Sequence, residues 1–180
     1  MSRVKSDVIE LLLGRVPAPK SAPFDALLYA MDGDQLCAAE FAGYEWRMEK
    51  SLLRHYGSQY RLVTRKDTHG VGERLTAYLG GAFDAVDDLP VSTAGTEFQR
   101  SAWLALRKIP VGQTASYAAQ AARIGKPAAV RAVGAANGQN PIVIVLPCHR
   151  VIGTNGALTG FGGGIPTKAW LLRHEGALLA

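Results

Sequence analysis

The ten residues "IVIVLPCHRV", 142–151, decide how the rest of the chain is read. Five apolar residues run unbroken into Pro147, and Cys148, His149 and Arg150 follow without a spacer. The run reads as one buried core segment. Proline interrupts strand pairing, which puts the thiol at the end of an element. A buried cysteine is ordinarily an inert small hydrophobe. Nearby cations, however, lower a thiol's pKa and favour the nucleophilic thiolate, and here two basic side chains follow at once. Packing and chemistry are both open on these residues alone. Adjacent side chains of an extended chain point to opposite faces, so His149 reaches the sulfur only through a bridging water or a turn at Pro147. A base also needs a group to orient it. Glu175 is the only acidic residue after position 97 and is the candidate by elimination. A solvated carboxylate at a helix end is the alternative.

Working outward, "GTNGALTGFGGG" (153–164) is a glycine-rich loop with room to fold over the thiol, and "TKAWLLRHEG" is a closing helix. Upstream, "TEFQRSAWLALRKI" opens with a capping box, Thr96 as N-cap and Gln99 three residues on. Phe98, Trp103, Leu106 and Ile109 supply its apolar spacing. "SYAAQAARIG" and "AAVRAVGAANG" are two short helices joined by a tight glycine-containing turn, the pattern of a helix-turn-helix. In the second, Val130 and Val133 face inward, while Ala128, Arg131, Ala132 and Ala135 line the other side. That small-residue surface with one arginine suits close approach to a nucleic-acid groove; tight helix packing is the alternative.

The first half reads differently. Residues 24–43 form a hairpin around Asp32-Gly33-Asp34. An amphipathic helix follows over 44–57, then a short strand "YRLVTR" and a second helix around 72–79 that stops at Gly80-Gly81. "DDLPVSTAG" (87–95) is a turn-rich connector and the best domain boundary, giving domains 1–90 and 91–180. Charge changes across it: residues 1–90 carry 11 Lys/Arg against 13 Asp/Glu, residues 91–180 carry 9 against 2. A basic second half is expected if it meets a polyanion, although a merely basic soluble domain has the same balance.

The 180 residues suffice for one medium domain or two small ones, and 19% charged residues is the balance of a soluble globular protein. No window approaches a membrane span. The opening "MSRVKSDVIELLLGRV" has a short apolar run flanked by acids, unlike a signal peptide, so the expected location is cytoplasmic. Cys37 and Cys148 are expected as free thiols, and four scattered histidines without a CxxC give no metal site.

"GTEFQRSAW", "IPVGQTASY", "RAVGAANGQNPI", "IVLPCHRVIG", "GFGGG" and "KAWLLRHEG" together resemble the O6-alkylguanine-DNA alkyltransferases of the Ogt type, in order and spacing across about 95–176. The N-terminal half is similar mainly in element order. The resemblance implies an N-terminal α/β domain of RNase H-like shape, followed by a mainly α domain with a helix-turn-helix. It implies that Cys148 accepts the alkyl group, His149 ionises it through a water, and Glu175 holds the imidazole. Asn140 would brace the helix-turn-helix against the active-site segment, and Tyr117 would donate to the departing guanine. Val151, Phe161 and Gly162 would line the base pocket. Arg131 would enter the base stack, with Ala129, Lys126 and Thr154 on the DNA side. The partner implied is double-stranded DNA carrying alkylated bases, met from the minor groove by a monomer, with cooperation along DNA left open. Neither metal nor organic cofactor is implied. The lesion would be O6-alkylguanine, with O4-alkylthymine open as a second.

Two residues depart from the family pattern. Phe161 stands where tyrosine is usual, and Gly162 where some relatives have serine. Two other readings differ in class. A non-catalytic binder of alkylated DNA would lack the acceptor cysteine, which is present. A cysteine hydrolase using Cys148 and His149 leaves Arg131 and the helix-turn-helix unexplained.

Overall fold

The computed structural model describes residues 8–67 and 69–178. Residues 1–7 of the opening stretch lie outside the described residues. Four strands make one mixed sheet: β1 (Ile9–Pro17), β2 (Ala26–Asp32), β3 (Gln35–Phe41) and β4 (Tyr60–Val63), in the order β3-β2-β1-β4. The first three pair antiparallel and β4 joins β1 in parallel, after the crossover helix α1 (Glu45–Tyr56). The hairpin expected at Asp32-Gly33-Asp34 is present, and Gly33 takes the positive φ (+59°) its turn requires. Strand β1 has no counterpart in the sequence reading. It lies inside the sheet with both faces covered, Leu11 against α1 and Leu12 against the opposite core, so no polar alternation marks it. Helix α2 (Val71–Leu79) packs on that opposite face through Val71, Leu75 and Tyr78.

The same face carries the second half of the chain. Helix α3 (Glu97–Leu106) begins with the capping box: Gln99 N–H donates to Thr96 Oγ1 at 3.2 Å and Thr96 N–H to Gln99 Oε1 at 3.0 Å. Strand β5 (Ala115–Ser116) leads into α4 (Tyr117–Arg123), and a turn over 124–129 leads into α5 (Val130–Gly138). Val133 is buried and Val130 half-buried, while Arg131, Ala132 and Ala135 are exposed, as the spacing predicts. Strand β6 (Val151–Ile152) pairs in parallel with β5, and helix α6 (Ile165–His174) closes the chain. One hydrophobic cluster runs through both halves, from Leu12 and Met31 to Trp103, Ile142 and Leu171.

The outer edge of β3 is where the halves join. Leu36 exchanges backbone hydrogen bonds with Pro90 and Ser92, and Ala39 with Pro141 and Val143. The connector and the segment before the cysteine therefore cover an edge that would otherwise be left unpaired.

The run 142–146 is buried throughout, as its composition predicts, but it is not extended. Val145 N–H donates to Val143 O at 2.8 Å across Ile144, whose φ is +72°. Cys148 N–H donates to Leu146 O at 2.8 Å across Pro147, with φ −79° and ψ 67°. These are two γ-turns, the first of the rare positive-φ kind. A β-branched residue there costs on the order of 1–2 kcal/mol. Full burial of the Ile144 side chain contributes a comparable roughly 2 kcal/mol in the other direction. A run of apolar residues specifies burial, and hydrogen-bonding needs at the β3 edge decide its backbone.

Candidate active site

Cys148, His149 and Arg150 form a single 3₁₀ turn directly after the second γ-turn. A 3₁₀ turn sends successive side chains in different directions, and here they part. The sulfur turns to Asn140, whose Nδ2 donates to it at 3.1 Å and to the Leu146 carbonyl at 2.6 Å. The same amide accepts from Ile142 N–H at 3.0 Å, so Asn140 ties both sides of the turn pair to the acceptor. His149 turns the other way, its Nε2 2.9 Å from Glu175 Oε1. The turn at Pro147 is present, yet the thiol and the imidazole share no hydrogen bond.

Glu175 sits at the C-cap of α6 and is buried, so the solvated alternative falls away. A carboxylate can only accept, so Nε2 carries the proton and Nδ1 the lone pair. That Nδ1 is fully buried and has no hydrogen-bond partner among the described residues. Burial holds His149 below the ordinary imidazole value, against the pull of Glu175. Burial also acts to raise Glu175, but the His149 N–H and the Arg150 guanidinium hold it well below the usual carboxylate range.

Arg150 is a second surprise. It does not sit beside the sulfur: Nε and Nη2 grip Glu175 in a fork at 2.9 Å each, and Nη1 donates to Ile109 O at 2.7 Å. The expected lowering of the thiol pKa by His149 and Arg150 is therefore absent. Burial pushes Cys148 up, opposed by the Asn140 N–H and by the charge of Lys168. Lys168 is wholly buried, and Nζ donates to Val151 O at 2.6 Å and Thr159 O at 3.0 Å. Sequence reasoning missed it, although a signal exists. Lys168 lies seven residues before Glu175, on the face of α6 that also carries Leu171 and Leu172.

Other candidate residues surround this centre. Val151 is buried, and its carbonyl is held by Lys168. Tyr117, first residue of α4, is half-buried, and its hydroxyl donates to Thr159 O at 3.3 Å, the carbonyl that Lys168 also holds. That shared carbonyl fastens the glycine-rich loop over the turn. Within the loop Phe161 lies 6.0 Å from the Phe41 ring, and Thr154 is exposed. Gly162 packs on Arg47: a Cβ there would fall 2.3 Å from the guanidinium carbon. Arg47 in turn pairs with the buried Glu40 at 2.9 Å and donates to Gly138 O at 3.1 Å. Arg131 and Lys126 are exposed around the α4–α5 turn, and Ala129 is half-buried at the α5 N-cap. Glu40, Arg47 and Tyr78, whose hydroxyl reaches Glu175, come from the first half and carry no local pattern that links them to Cys148.

A buried thiol held by an amide, backed by a histidine–glutamate pair and roofed by a glycine-rich loop, defines a protein built around one cysteine nucleophile. The family model described as "6-O-methylguanine DNA methyltransferase, DNA binding domain" matches residues 97–177. A protein of Salmonella typhimurium named methylated-DNA–protein-cysteine methyltransferase is 51% identical over 146 residues, covering 81% of this chain and 85% of its own. A protein of the same name from Methanosarcina acetivorans is 50% identical over 104 residues, covering 58% of this chain and 66% of its own. The crystal structure of Mycobacterium tuberculosis OGT in complex with DNA superposes with a TM-score of 0.73 at 36% identity, covering 93% of each chain. The chain belongs to the methylated-DNA–protein-cysteine methyltransferase family.

Proposed function

We propose that this protein repairs DNA by moving the alkyl group of O6-alkylguanine onto Cys148, once per molecule. The observation that carries the reading is the buried His149–Glu175 pair, which sets the imidazole tautomer, one residue along the 3₁₀ turn from a thiol held by Asn140. With the proton on Nε2, the Nδ1 lone pair serves as the base that takes the thiol proton through one bridging water. Burial pushes the Cys148 thiol up, opposed by the Asn140 N–H, so the base is needed to ionise it. The thiolate then attacks the alkyl carbon, the carbon–O6 bond breaks, and a thioether forms. The proton given up by the thiol balances the one guanine gains, with the Tyr117 hydroxyl donating to the base as it leaves. A thioether has no electrophilic carbonyl for water to attack, so the protein is spent. No metal or organic cofactor takes part in these steps.

The target lies inside duplex DNA, so the nucleotide is turned out of the stack into the pocket under the loop. Helices α4 and α5 serve as the helix-turn-helix, with Arg131 filling the vacated stack from the minor groove. Lys126, Ala129 and Thr154 meet the backbone, and the basic charge of 91–180 holds phosphates. Residues 1–90 form the first domain, RNase H-like in its order of antiparallel strands, crossover helix and parallel strand, and 91–180 form the DNA-binding, acceptor domain. The protein acts as a monomer.

The test is to incubate the full chain with duplex DNA containing O6-methylguanine and weigh the chain and its tryptic peptides. One added methyl on the Cys148 peptide, with one lesion lost per protein, is expected. Turnover with an unmodified chain would sink the proposal.

A further inference from the structure

Glu175 is not held by the second half alone. Tyr78, on α2, is fully buried, and its hydroxyl donates to Glu175 Oε1 at 2.5 Å. That oxygen also accepts from His149 Nε2 and Arg150 Nη2, while Oε2 accepts from Arg150 Nε. Each carboxylate oxygen offers about two acceptor sites, so three donors crowd onto Oε1 while Oε2 takes one. The hydroxyl is aimed from behind. The Tyr78 ring packs edge-on against Phe83 at 5.7 Å and His174 at 6.0 Å. His174 Nε2 lies 3.1 Å from the Tyr78 carbonyl oxygen, and the His174 ring stacks on Trp170. Phenylalanine would fill the same space, so the packing does not call for a hydroxyl. Burial and the facing carboxylate keep the phenol protonated, a donor at any working pH.

Donors that share one oxygen compete for its charge. We infer that Tyr78 is a positioning residue of the transfer reaction: its hydroxyl draws charge from Glu175 Oε1 and so sets how strongly Glu175 stabilises a protonated His149. The inference rests on the reading of Cys148 as acceptor and His149 as its base. It gives the first half a part in the chemistry, reached from a residue 97 positions away in sequence. The other charged or titratable groups around the pair are Arg150 and Cys148 on the 3₁₀ turn and Lys168 and His174 on α6, and substitution at 78 leaves all of them in place.

The experiment measures the single-turnover rate of methyl transfer from O6-methylguanine in duplex DNA against pH, using the full chain. Wild type is compared with Tyr78→Phe and with a chain carrying 3-fluorotyrosine at position 78 alone. Without the hydroxyl, Glu175 favours the imidazolium more, and the acid limb of the profile moves to higher pH. Below that limb the rate falls by up to about tenfold, the change that one pKa unit brings, while the plateau stays within about twofold. The fluorinated phenol is a stronger donor and moves the limb the other way, which keeps the test decisive if phenylalanine unfolds the chain. Profiles that superimpose, or that drop equally at every pH, would overturn the role of Tyr78 and leave transfer to Cys148 standing. Absence of transfer in wild type would overturn the parent reading, and the inference with it.

Discussion

Asn140 and Cys148 are joined by a 3.1 Å contact from the amide Nδ2 to the sulfur, and the same amide group bonds Ile142 N–H and Leu146 C=O on either side of the first γ-turn. One buried side chain thus supports the backbone and solvates the nucleophile. Asn140→Ala leaves Ile142 N–H without an acceptor, while Leu146 C=O keeps the Cys148 N–H. One unsatisfied buried group costs about 1–3 kcal/mol, and a loss of that size is expected in urea unfolding. Without its donor the thiolate is also less stable, and the pH midpoint for iodoacetamide labelling of Cys148 rises. An unchanged midpoint would show that the amide is structural only.

The His149–Glu175 pair makes stability depend on acidity. A histidine whose folded pKa lies below its ordinary 6.5 takes up a proton on unfolding, so its contribution is complete above about pH 6.5 and fades as pH falls through the folded value. Glu175, also depressed when folded, contributes fully above its ordinary 4.5 and loses that contribution in more acid solution. Glu40 works in the opposite sense, because burial raises it. The expected profile is a decline in unfolding free energy beginning near pH 6.5 and steepening below about 4.5. In Glu175→Gln the steep part is reduced, the remainder coming from Asp67 and the other carboxylates held low in the fold, and the protein loses about 3–5 kcal/mol at pH 7, because Arg150 is left buried without its counter-charge. Urea titrations at a series of pH values decide the matter; parallel curves for the two proteins would contradict it.

What could be read in advance follows from how local each signal is. The capping box at Thr96 and Gln99 is complete within four residues, and the periodicity of α1, α2 and α6 repeats over a few turns, so these elements were legible. Asn140 was named only through the family resemblance, whereas the contact between His149 and Glu175 was legible, since Glu175 has no acidic rival after position 97. The γ-turns were not, because the residues of 142–146 declare burial and nothing about φ. Arg150 was misjudged for a related reason: adjacency in sequence suggested the sulfur, while the 3₁₀ turn carries the guanidinium to Glu175. Tyr78 and Arg47 depend on how the sheet packs against α5 and α6, and no local pattern announces that.

Arg131 separates extrusion from chemistry. It is exposed on α5 and lacks any hydrogen bond or ion pair to the described residues, so Arg131→Ala should leave folding within about 0.5 kcal/mol of wild type. Transfer from duplex DNA is expected to slow by tenfold or so, about 1.4 kcal/mol of barrier, while transfer from the free O6-alkylated base hardly changes. Equal losses on both substrates would remove Arg131 from base extrusion.

Gly162 and Arg47 are matched across the two halves, and a double-mutant cycle can measure the match. A methyl at 162 would lie 2.3 Å from the guanidinium carbon, so Gly162→Ala must displace Arg47. Displacement breaks the pair with Glu40, whose side chain is 4% exposed, and frees the bond to Gly138 O that holds the end of α5. A buried carboxylate stripped of its partner costs about 2 kcal/mol or more. In Arg47→Ala that cost has already been incurred and the space is open, so adding Gly162→Ala should cost little further. A coupling energy of about 1–3 kcal/mol is expected from the four unfolding curves. Transfer rates should follow the same pattern, because the displaced arginine no longer supports the loop that roofs Cys148. Simple additivity in stability would mean that the arginine moves aside freely and that the glycine at 162 answers to something other than Arg47.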